Sequence, residues 1–161
     1  MDMMREYHPV DAVEDVADER EWAFQRHGID EISILQKGTW ADYSMSYSWM
    51  EDFEALHIAC AFDMRVPPLR VAEAQKLVGQ INEQLLLGHF ELWVEDGSVM
   101  FRHALPLNGG AIATEGQIEH MQEAAFTACE RYYQAFQYVL WAGQSSGEAL
   151  GNVLFDTVGR A

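Results

Sequence analysis

Positive charge is scarce in this chain. Ten Lys and Arg stand against 26 Asp and Glu, a formal net charge of −16. Phosphate-bearing partners are held by clustered Lys and Arg, so the composition excludes a nucleic-acid surface and an anionic membrane surface. An acidic balance favours solubility and permits a basic partner. Cysteine is also scarce. Cys60 and Cys129 are the only two. Both sit in apolar patterns on different elements, as expected of buried thiols in a reducing compartment. No apolar run approaches the ~20 residues of a membrane span. The opening "MDMMREYHPVDAVEDVADER" has no apolar signal core. The expected location is the cytoplasm.

Catalytic signatures are missing as well. There is no G-x-S-x-G, and no Ser, Cys or Thr stands in a nucleophile motif. His57 and Cys60 are three apart on a strand, so they point to opposite faces. "LNGGAIA" is too short, and lacks the lysine, for a phosphate cradle. Cys60, Cys129, His57, His89 and His103 share no metal-ligand spacing. The carboxylates are many, but no acid–base pair stands out among them. No cofactor, metal or catalytic residue is expected, and the chain reads as non-enzymatic.

What is present is material for one core. Hydrophobic residues make up 49% of 161, with five Trp, six Tyr and eight Phe. That suits a single domain, placed at residues 8–158 with a disordered segment at 1–7. Pro9, Asp11, Glu14 and Asp15 favour a helix N-terminus, and Val10, Val13, Val16 and Ala17 repeat at helical spacing over 9–20. "EWAFQRHG" alternates at Trp22, Phe24 and Arg26 but is ambiguous between helix and strand. Ile32 and Ile34 predict a short strand and Lys37-Gly38 a turn. Ala41, Tyr43, Met45, Tyr47 and Trp49 then alternate with Asp42, Ser44, Ser46 and Ser48. Leu56, Ile58, Cys60, Phe62 and Met64 do the same in the next strand. A turn centred on Glu51-Asp52 sets Tyr47 opposite Leu56 and Tyr43 opposite Cys60.

From Leu69 the period becomes helical, with Ala74, Leu77, Val78, Ile81 and Leu85 on one stripe and Gly88 as the stop. Asp96-Gly97 predicts a hairpin with a two-residue loop. In that register Trp93 faces Met100, Glu91 faces Arg102 as a cross-strand pair, and Phe90 faces His103. His103 then lies at the core edge and His89 on the other face. Asp63 and Arg65 form a polar strand end. Thr114 to Gln117 is a capping box opening a long helix, along which Ile118, Met121, Ala125, Cys129, Tyr132, Phe136 and Val139 form a stripe. Ser145 to Glu148 is a second box, before a helix carrying Leu150, Val153, Leu154 and Val158. The order, helix, three strands, helix, two strands, long helix, short helix, predicts an α+β domain with an antiparallel sheet of about five strands.

Large apolar residues are expected on the wet side of this sheet: Trp93 and Met100 on the hairpin, and Trp40 on the polar side of its strand. They form a candidate protein-contact surface. The alternative is a small-ligand or enzyme pocket between sheet and helix, near His103, Tyr43 or Cys60.

"CAFDMRVP" (60–67), "INEQLLLGHFELW" (81–93), "MFRHAL" (100–105) and "CERYYQAFQYVLWAG" (129–143) resemble the YbjN family of bacterial proteins. "HPVDAVEDV" and "EWAFQR" resemble its opening, although Ala23 departs from the proline expected there. The resemblance covers about residues 8–158 and implies a fold like type III secretion chaperones, small acidic homodimers that bind partner polypeptide. The family has no established catalytic motif, so no functional residue is carried over.

Overall fold

The computed structural model describes the backbone of residues 5–159 and the side chains up to residue 153. Helix α1 (Pro9–Glu19) begins where predicted, and His8 caps it: its Nδ1 accepts the Val10 N–H at 3.1 Å while Nε2 donates to Asp30 at 2.9 Å. Glu21 turns the chain out of the helix at φ 59°, and the Trp22 N–H closes onto the Ala17 carbonyl at 2.8 Å. The ambiguous segment is thereby extended. It forms β1 (Ala23–Arg26), followed by β2 (Glu31–Lys37), β3 (Asp42–Met50) and β4 (Ala55–Arg65). Helix α2 (Val71–Asn82) leads to β5 (His89–Trp93) and β6 (Ser98–Pro106), then α3 (Glu115–Leu140) and α4 (Ser146–Gly159). The sheet is antiparallel with six strands, in the order β1-β2-β3-β4-β6-β5, where about five were expected. The added strand is β1, held at the edge by Phe24 and Trp22 against the core and by Arg26 to Asp11 and Glu14 of α1 at 2.9 and 3.4 Å.

The helices cover one face of this sheet. Ile32, Ile34, Met45, Tyr47, Leu56, Ile58, Cys60, Phe90 and Phe101 are buried beneath them. Phe62 lies at the centre, with Tyr133, Phe136, Phe90 and Tyr43 around it at ring distances of 5.2 to 6.4 Å, edge-on or tilted. Such aromatic pairs each contribute about 0.5–1.5 kcal/mol beyond area burial. Two polar groups are buried with their partners. Tyr47 donates to Gln122 Oε1 at 2.8 Å, and Gln122 Nε2 donates to Gln36 at 2.8 Å. Both capping boxes are used in part or whole: Thr114 and Gln117 bond reciprocally, and Ser145 accepts the Glu148 N–H. Leu154 and Val158 lie outside the residues whose side chains are described.

Both predicted hairpins form, but with loops two residues longer. Met50 pairs Ala55 across residues 51–54, with Glu54 left-handed at φ 47°. Tyr47 therefore faces Ile58, and Met45 rather than Tyr43 faces Cys60. Trp93 pairs Ser98 across residues 94–97, so Phe90 faces Phe101 instead of His103. Asp96 Oδ1 accepts the Ser98 N–H, and left-handed Gly97 accepts the Val66 N–H at its carbonyl. The Asp-Gly pair thus closes a four-residue loop rather than forming a two-residue one. A two-residue slip leaves every side chain on its face, because the strand period is two.

One further expectation changes. Gly88 does not stop α2, which ends at Asn82. It stands at φ 75° before β5, where a Cβ would come within 2.3 Å of the Phe101 ring. Of the segment 1–7, residues 1–4 lie outside the described residues. Arg5 donates to the carbonyls of Leu107 at 2.6 Å and Ala111 at 2.7 Å and lies over the Trp49 ring.

Candidate functional site

The other face of the sheet carries no helix among the described residues. Its rows read Leu35, Ser44, Ala61, Met100, Glu91 and then Ser33, Ser46, Ala59, Arg102, His89, taken across β2, β3, β4, β6 and β5. Short side chains floor the middle strands, and the tall ones stand toward β5. Trp93 is half exposed on this face, while Met100 is half-buried. They are diagonal neighbours, since Trp93 lies opposite Ser98 and Met100 opposite Glu91. Trp40 is not with them. It sits in the β2–β3 turn, packed against the core, where Glu130 of α3 accepts the Thr39 N–H and the Tyr43 hydroxyl.

Glu91 organises the tall side of the face. Arg102 Nη1 donates to both its oxygens at 3.0 and 3.2 Å, His89 Nε2 to Oε1 at 2.8 Å, and the Trp93 indole N–H to Oε2 at 2.9 Å. The expected Glu91–Arg102 pair therefore exists, but on the diagonal of the ladder. Partial burial by itself raises the Glu91 carboxyl; the bonds from Trp93, His89 and Arg102 outweigh it and hold the group at about 2. Arg102 Nε donates to His57 Nε2 at 2.9 Å, and burial together with the Arg102 charge holds His57 below its ordinary value. One carboxylate thus fixes the indole rotamer and the guanidinium together. The charged groups are occupied with one another, and the surface left for contact is indole, thioether and floor.

The edge of β5 is blunted. Asn82 at the end of α2 accepts the Phe90 N–H at 2.8 Å and donates to its carbonyl at 3.1 Å. It occupies the main-chain groups that an added strand would use, a device against edge pairing. No feature of the sequence distinguished Asn82 beforehand.

Of the residues expected around a ligand between sheet and helix, Tyr43 is buried among the aromatic rings around Phe62, Cys60 is buried beside Cys129, and His103 is half-buried. Cys60 and Cys129 are free and buried; burial and the neighbouring Cys60 push the Cys129 thiol up, which leaves it unreactive. No His, Cys, Asp and Glu among the described residues form a group able to hold a metal ion. Asp63 and Arg65 do not pair. Asp63 accepts from Tyr133 and Arg65 reaches Asp96 at 3.3 Å and Ser98. No helix among the described residues is long and apolar enough to cross a membrane.

Against known proteins, the model of one family, YbjN, described as "Putative bacterial sensory transduction regulator", matches residues 9–138. The chain belongs to the YbjN family. No curated protein matches the sequence. Among solved structures, YbjN from E. coli, described as "a putative transcription regulator", superposes with a TM-score of 0.57 at 10% identity, over 83% of this chain and 90% of that one. The HopA1–SchA chaperone–effector complex contains a chain that matches with a TM-score of 0.51 at 14% identity, over 79% of this chain and 93% of that one. At such identities the likeness is one of fold. The α+β architecture of this YbjN-family chain is the chaperone-like one that its sequence implied, and α4 lies beyond the matched segment.

Proposed function

We propose that this protein is a non-enzymatic binding module that holds a partner polypeptide, in a regulatory or chaperone-like role, on the open face of its sheet. The observation that carries the reading is Trp93: a half-exposed indole, fixed by Glu91, beside Met100 on a face that no helix among the described residues covers. Aromatic and Met side chains concentrate at protein contacts, and a preset rotamer lowers the entropy lost on binding. The fold shared with a chain of a chaperone–effector complex supports the same reading. The acidic charge suits a partner with basic segments, and the natural setting is the cytoplasm. The protein works as a homodimer.

Affinity capture from native lysate with mass spectrometry, run on the wild type and on a Trp93→Ala, Met100→Ala double variant, tests the surface. The expected result is a discrete polypeptide captured by the wild type and reduced at least tenfold with the variant, at unchanged stability. Equal capture by both removes this face. A strict monomer in light scattering, together with no captured polypeptide, ends the proposal.

A further inference from the structure

Three of the six histidines gather at one corner, where β5 stops short of β6. His57, His89 and His103 line an open depression of about 330 Å³ together with Gly88, Arg102 and Ala104. The charge of His120 on α3 acts against protonation of His103. With its histidines neutral, the corner holds one cation, Arg102, paired with Glu91, in a chain of charge −16. Among the described residues, Glu91 is an acid that acts on His57, and its oxygens are taken by Arg102 Nη1, His89 Nε2 and the Trp93 indole. We propose that this corner is a binding site for a small oxyanion, filled as its histidines gain protons.

The donors reach the depression from both sides of the β6 edge, His57, His89 and Arg102 from the open face and His103 from the helix face. His57 accepts from Arg102 Nε at Nε2, so its own proton sits on Nδ1. Arg102 keeps its second terminal nitrogen, and the His103 ring takes no hydrogen bond from the described residues. The main chain adds one more. Because Asn82 holds the Phe90 N–H and carbonyl on the outer edge, the ladder turns the main-chain groups of Met100, Arg102 and Ala104 toward β5. Pairing ends at His89 with Arg102, so the Ala104 N–H faces the depression beyond the end of the strand.

The dependence on protons follows from the neighbours. Burial, and after it the charges around them, hold His57 and His103 below the ordinary histidine value. For His57 those charges are Arg102, His89 and His103; for His103 they are His120 and His89. An anion among these groups offsets the repulsion and, at His57, the loss of the bond that Nε2 accepts from Arg102, so binding takes up protons and strengthens as pH falls. The site adjoins the polypeptide surface through Arg102 and Glu91, although neither Trp93 nor Met100 lines it.

Sulfate is the probe, because it keeps both charges across the range in which histidine titrates. Its titration is followed through the imidazole resonances at about pH 5.5 and about pH 7.5. Saturable binding is expected at the lower pH, at least tenfold tighter than at the higher. His57, His89 and His103 should move, while His8 and His27, at the far edge of the sheet, should not. Arg102→Gln should abolish the response. Because that change also unpairs Glu91, the rim variant His89→Asn is the companion, and it should weaken binding several-fold with stability unchanged. A phosphoserine peptide run against inorganic phosphate separates the sources: tighter peptide binding assigns a modified polypeptide, equal binding a free ion. An adventitious ion only, seen as unsaturable shifts shared equally by His8 and His27, overturns the proposal. So does unchanged affinity in both variants.

Discussion

The two faces of the sheet are made from the same six strands, one residue apart, and they are built on different terms. On the helix side Tyr43, Met45, Tyr47, Ile58, Cys60 and Phe101 are buried, and even the Tyr47 hydroxyl has a buried partner in Gln122. On the open side the same strands present Ser44, Ser46, Ala59, Ala61, Met100 and Trp93. The first face gets its stability from packing. The second is wet, its charges are paired among themselves around Glu91, and its largest apolar group is fixed rather than covered. Trp93 is expected to be removable without loss of the fold and Phe62 is not, because one is half exposed and the other is packed among four rings.

The contrast is broken most severely from the inside. Phe62→Ala removes the ring shared by Tyr43, Phe90, Tyr133 and Phe136, and should cost about 3–5 kcal/mol in a urea melt. A loss below about 1 kcal/mol would mean the helix-covered face is not the seat of stability. Gly88→Ala comes next. The position is left-handed and a Cβ there meets the Phe101 ring, so the expected loss is above about 1 kcal/mol. A neutral result would show that β5 can shift away from the core.

On the open face the expected effects are smaller and depend on pH. Glu91 is held at about 2, below its ordinary 4.5. Its contribution is therefore complete above 4.5 and lost as pH falls toward 2. Glu91→Gln should flatten stability against pH in that window and leave the Trp93 fluorescence less constrained. An unchanged acid limb would deny Glu91 its organising role. The Trp93→Ala, Met100→Ala double variant should change stability least, within about 1 kcal/mol.

How far the sequence revealed this contrast depends on parity. Alternation placed Tyr43, Met45 and Tyr47 on one face and Ser44, Ser46 and Ser48 on the other, and the structure agrees. It could not count loop residues. Glu51-Asp52 and Asp96-Gly97 each read as two-residue turns, whereas both loops have four, because Glu54 and Gly97 take left-handed conformations at their ends. Faces survived and partners moved by two. β1 was ambiguous because four residues hold too few periods to separate strand from helix. Trp40 was misplaced on the polar side of a strand because it lies in the turn before that strand begins. Gln122 and Asn82 gave no sign of themselves, since a buried bridging amide and an edge-capping amide have the same composition as a solvated one.

The most direct test of the open face is site-specific photocrosslinking in the native cell. The crosslinker is placed in turn at Ala61, exposed on the floor of the open face, and at Thr127, exposed on α3. A discrete polypeptide adduct from Ala61, absent from Thr127 and lost when Trp93 and Met100 are both alanine, is the predicted result. An adduct from Thr127 with none from Ala61 would contradict it.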